Sequence, residues 1–168
     1  MMKIGVRAHD LGRRSEEALP KAVRAAGFET VQLALTKAID GIEPVADHTL
    51  NTPELARRLL DEVGSDKVKI IFDPVNTILA ETADRQKQIY ESFFSHLGQD
   101  IRIVHVKDSA FEHGEKVWRA IGRGMVNNRF VFDWLRANKP DAPILREHAH
   151  NDSSAADVAA MRALAGRD

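Results

Sequence analysis

The chain has 168 residues, enough for one well-packed domain, and its 24 Lys and Arg against 25 Asp and Glu leave a formal net charge of -1. A nearly neutral chain offers no global positive field, so we expect neither nucleic acid nor a membrane surface as a partner. It contains no Cys, which excludes disulfides and thiolate chemistry and fits a cytoplasmic location, and no apolar run approaches the roughly 20 residues of a membrane span.

Short β-rich segments alternate with longer segments of helical periodicity, a pattern typical of βα units around a parallel sheet. The first two strands are predicted at 3–8 and 30–35, separated by a helix that Ser15 would cap and Gly27 would end. The sequence GIEPV at 41–45 reads as the next strand.

A second helix is predicted directly after Thr52, which is a favourable N-cap followed by Pro and Glu. Gly64 would end this helix, and four of its apolar residues are expected to share one buried face: Leu55, Leu59, Leu60 and Val63.

Three further strands and three further helices complete the predicted order. The strands lie at 67–74, 101–107 and 143–148, and the helices at 84–97, 128–138 and 153–164, with a long loop between 108 and 127. Six strands and five helices fit five to six βα units of about 30 residues each. Four aromatic residues, Trp118, Phe130, Phe132 and Trp134, are expected to pack in the core or at an interface. His148 and His150 are expected in an exposed loop, although one of them could line the site.

Four predicted strands end in residues suited to bind a cation: Glu43, Asp73, His105 and Glu147. Each alone has an ordinary explanation, such as a strand-ending turn at Asp73-Pro74 or a hydrogen-bonded core imidazole at His105. Their joint placement, 30, 32 and 42 residues apart, is harder to explain by accident because the carboxyl ends of parallel strands meet on one face. Three carboxylates and one imidazole suit Mn²⁺, Mg²⁺, Co²⁺ or Zn²⁺, and the sequence leaves the metal open.

Several motifs in this order carry a family resemblance: IEPVADHTLNTPELARRLLDEV, IIFDPVN, VHVKD, AIGRGMVN and ILREHAH. Together they resemble the sugar phosphate isomerase/epimerase family of xylose isomerase-like TIM barrels. The resemblance implies a single domain over 1–168, in which 1–40 is the first βα unit with the second strand and 41–168 is equivalent to the last four βα units.

The resemblance also implies roles for site residues. Glu43, Asp73, His105 and Glu147 would be the metal ligands, and Glu43 and Glu147 would also exchange a proton with the substrate through an enediolate. Asn76 and Lys107 match positions close to the substrate, while His48 could reach a substrate phosphate or cap the following helix. The implied substrate is a small sugar or sugar phosphate.

Against the family pattern, the chain passes from the second strand to GIEPV across only five residues, whereas parallel neighbours need a crossover of about a dozen. We interpret this as an internal deletion of about two βα units, giving a truncated TIM-barrel-like α/β fold. The link could send 41–168 into a second subunit as a domain-swapped dimer, GIEPV could leave its usual strand position, or 1–40 could pack loosely. We favour a homo-oligomer.

Two alternatives to an active sugar isomerase follow from the same residues. The shortened chain could be a catalytically inactive metal-binding or oligomeric remnant, because the lost units would remove one wall of the substrate pocket. Related barrels include metal-dependent DNA-repair endonucleases, but the net charge and the ligand set disfavour that interpretation.

Overall fold

The computed structural model describes residues 2–7, 19–32, 52–64, 66, 68–148 and 154–166. Within these ranges five helices are found: α1 (Leu19–Ala25), α2 (Pro53–Val63), α3 (Gln86–Leu97), α4 (Asn128–Asn138) and α5 (Ser154–Leu164). The strands of the same ranges are β1 (Ile4–Arg7), β2 (Thr30–Gln32), β3 (Ile70–Phe72), β4 (Ile101–Val106), β5 (Asp108–Glu112), β6 (Glu115–Arg119) and β7 (Ile144–Arg146). Short 3₁₀ turns cover Val75–Thr77, Ala80–Arg85 and Gly98–Asp100.

The described strands form a five-stranded parallel sheet in the order β2-β1-β7-β4-β3, with β5 and β6 as a separate antiparallel hairpin. Among the described strands, the last therefore lies beside the first, as expected for a barrel-like order. The parallel arrangement agrees with the predicted truncated TIM-barrel-like α/β fold, and helices flank the sheet. No helix among the described residues is long and apolar enough to cross a bilayer.

The strand register explains which side chains face the helices and which face the opposite side of the sheet. Phe72, Val104, Ile144 and Ile4 stand level with one another across β3, β4, β7 and β1, and all are fully buried in the hydrophobic core. Because successive strand residues point to opposite faces, the next residues, Asp73 and His105, point away from this core. On β7, Arg146 lies two residues after Ile144, so it returns to the helix side and forms a buried ion pair with Asp157 of α5.

The helix after Thr52 begins and ends as predicted. The Thr52 side chain accepts a hydrogen bond from the Leu55 amide at 3.2 Å, and Gly64 ends the helix in the left-handed conformation with φ of 60°. The prediction of its buried face was right for Leu60 and wrong for Leu55 and Val63, while Leu59 is half-buried. Ala56 and Leu60 are buried, whereas Leu55 and Val63 are 41% and 48% exposed, because the face toward the core runs along Pro53, Ala56 and Leu60.

The predicted long loop between 108 and 127 was wrong for its first half. Residues 108–119 form the β5–β6 hairpin, whose two-residue turn places His113 and Gly114 at φ of 52° and 85°. Positive φ at both turn residues is the type I′ geometry that matches the twist of paired strands.

The other helices agree with the predicted positions. The fourth helix spans Asn128–Asn138 as expected, the last covers Ser154–Leu164 within the described residues, and the third begins at Gln86 because Ala80–Arg85 is a 3₁₀ turn. Two expectations lie outside the described residues: the strand at 41–45 and the cap at Ser15.

Candidate metal centre

Three neighbouring strands bring Asp73, His105 and Glu147 together. Asp73 follows β3, His105 lies within β4 and Glu147 follows β7, so all three stand toward the carboxyl ends of adjacent parallel strands. One ligand atom from each lies within 4.8 Å of the others. His105 Nδ1 is 3.7 Å from Asp73 Oδ2 and 3.8 Å from Glu147 Oε1.

These three side chains are almost completely removed from solvent: Asp73 is 0%, His105 3% and Glu147 5% exposed. Two carboxylates this close to one another repel, and a low-dielectric site strengthens the repulsion. A positive charge placed between the two carboxylates would relieve this repulsion.

The position of the Asp73 carboxylate is set by its own backbone. Its Oδ1 atom accepts hydrogen bonds from the amides of Val75 at 3.0 Å and Asn76 at 3.3 Å, in the 3₁₀ turn after β3. The second oxygen, Oδ2, is thereby directed at His105. The Tyr90 hydroxyl donates a hydrogen bond to the Pro74 carbonyl of the same turn at 3.4 Å. Burial, and then the charges of Asp73 and Asp108, raise the pKa of Tyr90, so its hydroxyl keeps its proton.

Lys107 supplies the positive charge in this structure. Its Nζ lies 2.7 Å from Asp73 Oδ2 and also bonds Glu147 Oε2, and the side chain is only 4% exposed. Burial alone would lower the pKa of Lys107, but the charges of Asp73 and Glu147 outweigh it and raise that pKa. Lys107 is therefore an ammonium ion throughout the physiological pH range.

The donor set fits a divalent cation. Ligands about 2.0–2.2 Å from a metal lie about 3–4.4 Å apart. The two distances from His105 Nδ1, 3.7 Å to Asp73 Oδ2 and 3.8 Å to Glu147 Oε1, fall in that range. Two carboxylates and one imidazole suit Zn²⁺, Mn²⁺ or Co²⁺, and Mg²⁺ with additional water ligands. The residues that would hold the ion are Asp73, His105 and Glu147.

The β5–β6 hairpin is attached to the loops on both sides of the site. Lys116 Nζ donates to the carbonyls of Val75 at 3.0 Å and Ile78 at 3.3 Å, in the segment after β3. Trp118, two residues further and on the same face of β6, stacks on His148 after β7 with ring centroids 4.2 Å apart. Trp118 is 38% exposed, so it does not lie in the core, and its packing at an interface stays a prediction. His148 is a half-buried stacking partner, whereas an exposed loop position was expected for it.

Asp108 fixes the glycine-containing loop that follows the hairpin. Its carboxylate accepts hydrogen bonds from the amides of Ser109, Gly122, Gly124 and Val126, at 2.9 to 3.1 Å. A Cβ on Gly124 would stand 2.2 Å from Asp108 Oδ1, so only glycine fits there. Burial raises the pKa of Asp108 against the opposing effect of these four donors.

The structure thus groups four of the seven predicted site residues: Asp73, His105, Glu147 and Lys107. Asn76 contacts Asp73 through its backbone amide, while Glu43 and His48 lie outside the described residues. Sequence reasoning missed Lys116, Trp118 and the clamp formed by Asp108. A signal for the hairpin was present, since His113-Gly114 separates two short segments of strand-compatible residues.

The parallel sheet and the buried His-carboxylate cluster at its carboxyl ends define an α/β barrel-type protein with a candidate cation site. A profile of the xylose isomerase-like TIM barrel matches residues 39–164, and the chain belongs to that family. None of the curated proteins compared with the chain matches it significantly.

Several solved structures share the fold. A xylose isomerase-like TIM barrel protein from Mycobacterium smegmatis in complex with magnesium superposes with a TM-score of 0.56 and 18% identity, over 88% of this chain and 46% of that one. Endonuclease IV from Thermus thermophilus superposes with a TM-score of 0.54 and 16% identity, over 88% of this chain and 55% of that one. D-allulose 3-epimerase from Methylomonas sp. superposes with a TM-score of 0.51 and 14% identity, over 87% of this chain and 52% of that one. The chain therefore spans about half the length of the structures that it resembles.

Proposed function

We propose that this chain is a divalent-metal-dependent isomerase or epimerase of a small sugar or sugar phosphate. The observation that carries the proposal is the buried cluster of Asp73, His105 and Glu147, with ligand atoms within 4.8 Å of one another. Its support is the family, a neighbour that binds magnesium and a neighbour that is a D-allulose 3-epimerase.

The proposed roles follow the ligand set. Asp73, His105, Glu147 and, from the sequence resemblance, Glu43 would hold the cation. Such a cation, when bound, polarises a sugar carbonyl and the adjacent hydroxyl and so acidifies the C–H between them. Glu147 and Glu43 would remove and return the proton on the two sides of the substrate. Asn76, His48 and Lys107 are proposed to contact the substrate.

We further propose that the chain acts as one domain over 1–168, assembles as a homo-oligomer and is cytoplasmic. The oligomer is supported by the five-residue link between the second predicted strand and GIEPV and by the coverage of about half of each related structure. The cysteine-free composition supports the compartment.

A second candidate function is metal binding without catalysis. This candidate is favoured because the chain covers only about half of the related structures. A chain of that extent would lack part of the wall of a substrate pocket, and catalysis requires the substrate to be positioned as well as a cation to be bound. The likeness to endonuclease IV reflects the fold alone at 16% identity, and a net charge of -1 provides no attraction to DNA, so we propose no nucleic acid partner.

The test combines metal content with exchange of sugar C–H protons. The purified chain is loaded with Mn²⁺, and deuterium incorporation from D₂O into a panel of ketoses and aldoses, free and phosphorylated, is followed by NMR. We expect exchange that falls about 100-fold or more in Glu147→Gln and in Glu43→Gln. The control is Glu62→Gln, whose side chain is 61% exposed on α2. Stoichiometric metal without any exchange would favour the non-catalytic candidate, and unchanged exchange in both variants would dismiss the proposed roles.

A further inference from the structure

Lys107 competes for the same atoms that a metal ion would use. Its ammonium bridges Asp73 Oδ2, at 2.7 Å, and Glu147 Oε2. The other oxygen of Asp73 is already engaged by the amides of Val75 and Asn76, so Oδ2 is the atom that Asp73 can offer to any cation. A divalent ion bound there would have to share or take over the carboxylate that now holds the ammonium.

Sharing is electrostatically unfavourable. A divalent ion coordinated by Asp73 and Glu147 would lie within a few ångströms of the Lys107 charge, in a cluster whose four members, Asp73, His105, Lys107 and Glu147, are each at most 5% exposed. Water screens such a repulsion poorly in a buried site. Binding of the metal and the present position of the ammonium therefore oppose each other.

The Trp118 ring offers the Lys107 ammonium an alternative position. Lys107 Nζ lies 5.3 Å from the centroid of the Trp118 ring, within the range of a cation–π contact. Trp118 is held in position by its stacking on His148 and is 38% exposed, so that an ammonium moved toward the ring would approach solvent. The lysine side chain is long and flexible, so we expect rotation about its terminal bonds to allow this movement.

We propose that Lys107 is an internal competitor of the divalent cation, which holds Asp73 and Glu147 together in the metal-free protein and moves toward Trp118 when the metal binds. This inference rests on the metal site of the proposed function. Lys107 is thereby a residue that sets the affinity for the metal. Its released ammonium would then be positioned to contact an anionic or hydroxyl group of the substrate.

Two consequences follow for a chain without this charge. The metal-free form loses the counterion of two buried carboxylates and becomes less stable. The metal no longer has to displace an ammonium, so it binds more tightly. A structural ion pair with no relation to the metal would produce the first effect without the second.

The experiment measures Mn²⁺ and Zn²⁺ affinity of the full chain by competition with a chelator, together with the melting temperature with and without metal. The variant is Lys107→Met, which keeps a linear apolar stem, and Lys107→Gln serves if the Met variant does not fold. The matched control is Lys87→Met, because Lys87 also lies near a carboxylate, 3.7 Å from Glu91, and over an aromatic ring, 6.0 Å from Phe130, but on the surface of α3.

We expect Lys107→Met to bind the metal about 10-fold or more tightly than the wild type. Its melting temperature should be lower than that of the wild type without metal and should rise by more when metal is added. Lys87→Met should leave the affinity unchanged. In addition, Trp118→Leu should weaken metal binding in the wild type and have no effect in the Lys107→Met background. Equal or weaker metal binding by both Lys107 variants would overturn the inference.

Parallel measurements with His105→Asn separate this inference from the proposed function. If the wild type binds metal through His105 and loss of Lys107 brings no gain, the competitor role is wrong and the metal site stands. If only the Lys107 variants bind metal, the competitor role stands and metal-dependent activity of the wild type is wrong. If none of these proteins binds metal through His105, both are wrong.

Discussion

Asp108 shows how one buried carboxylate organises the loop beside the candidate site. Its two oxygens accept four backbone hydrogen bonds, from Ser109, Gly122, Gly124 and Val126. Asn128 at the start of α4 in turn donates to the Lys107 carbonyl at 3.3 Å, so the loop, the helix and the site strand are connected. Since four donors converge on one side chain, substitution should affect stability more than an average surface change would.

We predict that Asp108→Asn destabilises the protein by about 2–4 kcal/mol, because the amide group presents N–H donors to backbone N–H groups and leaves at least one of them unsatisfied. Equilibrium urea unfolding measures this loss. Asp133→Asn, at a half-exposed position of α4, is the control and should cost less than about 1 kcal/mol. Equal stability of the two variants would show that the Asp108 hydrogen bonds contribute little.

Asp100 provides a prediction for pH. Burial would raise its pKa, but hydrogen bonds from Arg57 and Lys69 outweigh this and hold the pKa of Asp100 below its ordinary value. An acid with a lowered pKa in the folded state contributes stability above its unfolded pKa of 3.8, and this contribution is lost as the pH falls through the folded pKa.

Wild-type protein should therefore lose more stability between pH 6 and pH 3 than Asp100→Asn does, by about 0.5–1 kcal/mol for this partly exposed group. The measurement is urea unfolding at both pH values, with Glu62→Gln as an exposed control. Parallel pH dependence of the wild type and Asp100→Asn would contradict the prediction.

In helix α2, the N-cap determines where the helix begins, whereas packing against neighbouring elements determines which of its side chains are buried. Thr52 Oγ1 accepts from the Leu55 amide, and Pro53 occupies the first helical position. Both features are local in sequence, and this is why the start of the helix could be predicted. The buried face could not, since Leu55 and Val63 are exposed while Ala56 is buried, and that choice depends on which neighbour the helix meets.

Thr52→Ala should destabilise the protein by about 1 kcal/mol through loss of this cap. Thermal unfolding provides the measurement. Ser95→Ala is a suitable control because Ser95 lies within α3 and its hydroxyl bonds the Ser92 carbonyl, where no orphan amide depends on it. A larger loss in Ser95→Ala than in Thr52→Ala would contradict the capping argument.

The β5–β6 hairpin was the main error in the predicted elements. Its strands, DSAFE and EKVWR, are partly exposed and rich in charged residues, so they lack the apolar character that identifies β3 and β4 of the parallel sheet. The type I′ turn at His113-Gly114 was the available local signal. This hairpin brings Lys116 and Trp118 next to the loops around the site, and no residue spacing in the sequence predicted that proximity.

At the scale of the whole molecule, the parallel sheet with its last strand beside its first agrees with the predicted barrel-like fold. The parallel strand order explains how three ligands separated by 32 and 42 residues meet, since their strands end on the same face. Strand alternation in VHVKD places Lys107 on the same face as His105. Its ion pairs with Asp73 and Glu147 depend on side-chain packing and could not be inferred from the motif. The roles of Glu43 and His48 stay predictions, since both residues lie outside the described ranges.

The proposed oligomer gives a prediction at this scale. Light scattering coupled to size-exclusion chromatography should give about twice the chain mass of 18.7 kDa. A domain-swapped dimer should in addition dissociate slowly, because exchange requires partial unfolding of each subunit. A monomer at all concentrations would remove the swapped-dimer proposal and favour a different position for GIEPV.

The central claim is that Asp73, His105 and Glu147 bind one divalent cation, and direct measurement of metal binding tests it most closely. Titration of the metal-free chain with Mn²⁺, followed by electron paramagnetic resonance, should give one bound ion per chain in the wild type. His105→Asn and Asp73→Asn should each reduce the affinity by about 10-fold or more, whereas His96→Asn, at an exposed position of α3, should not. Absence of binding by the wild type, or unchanged affinity in the His105 and Asp73 variants, would contradict the claim.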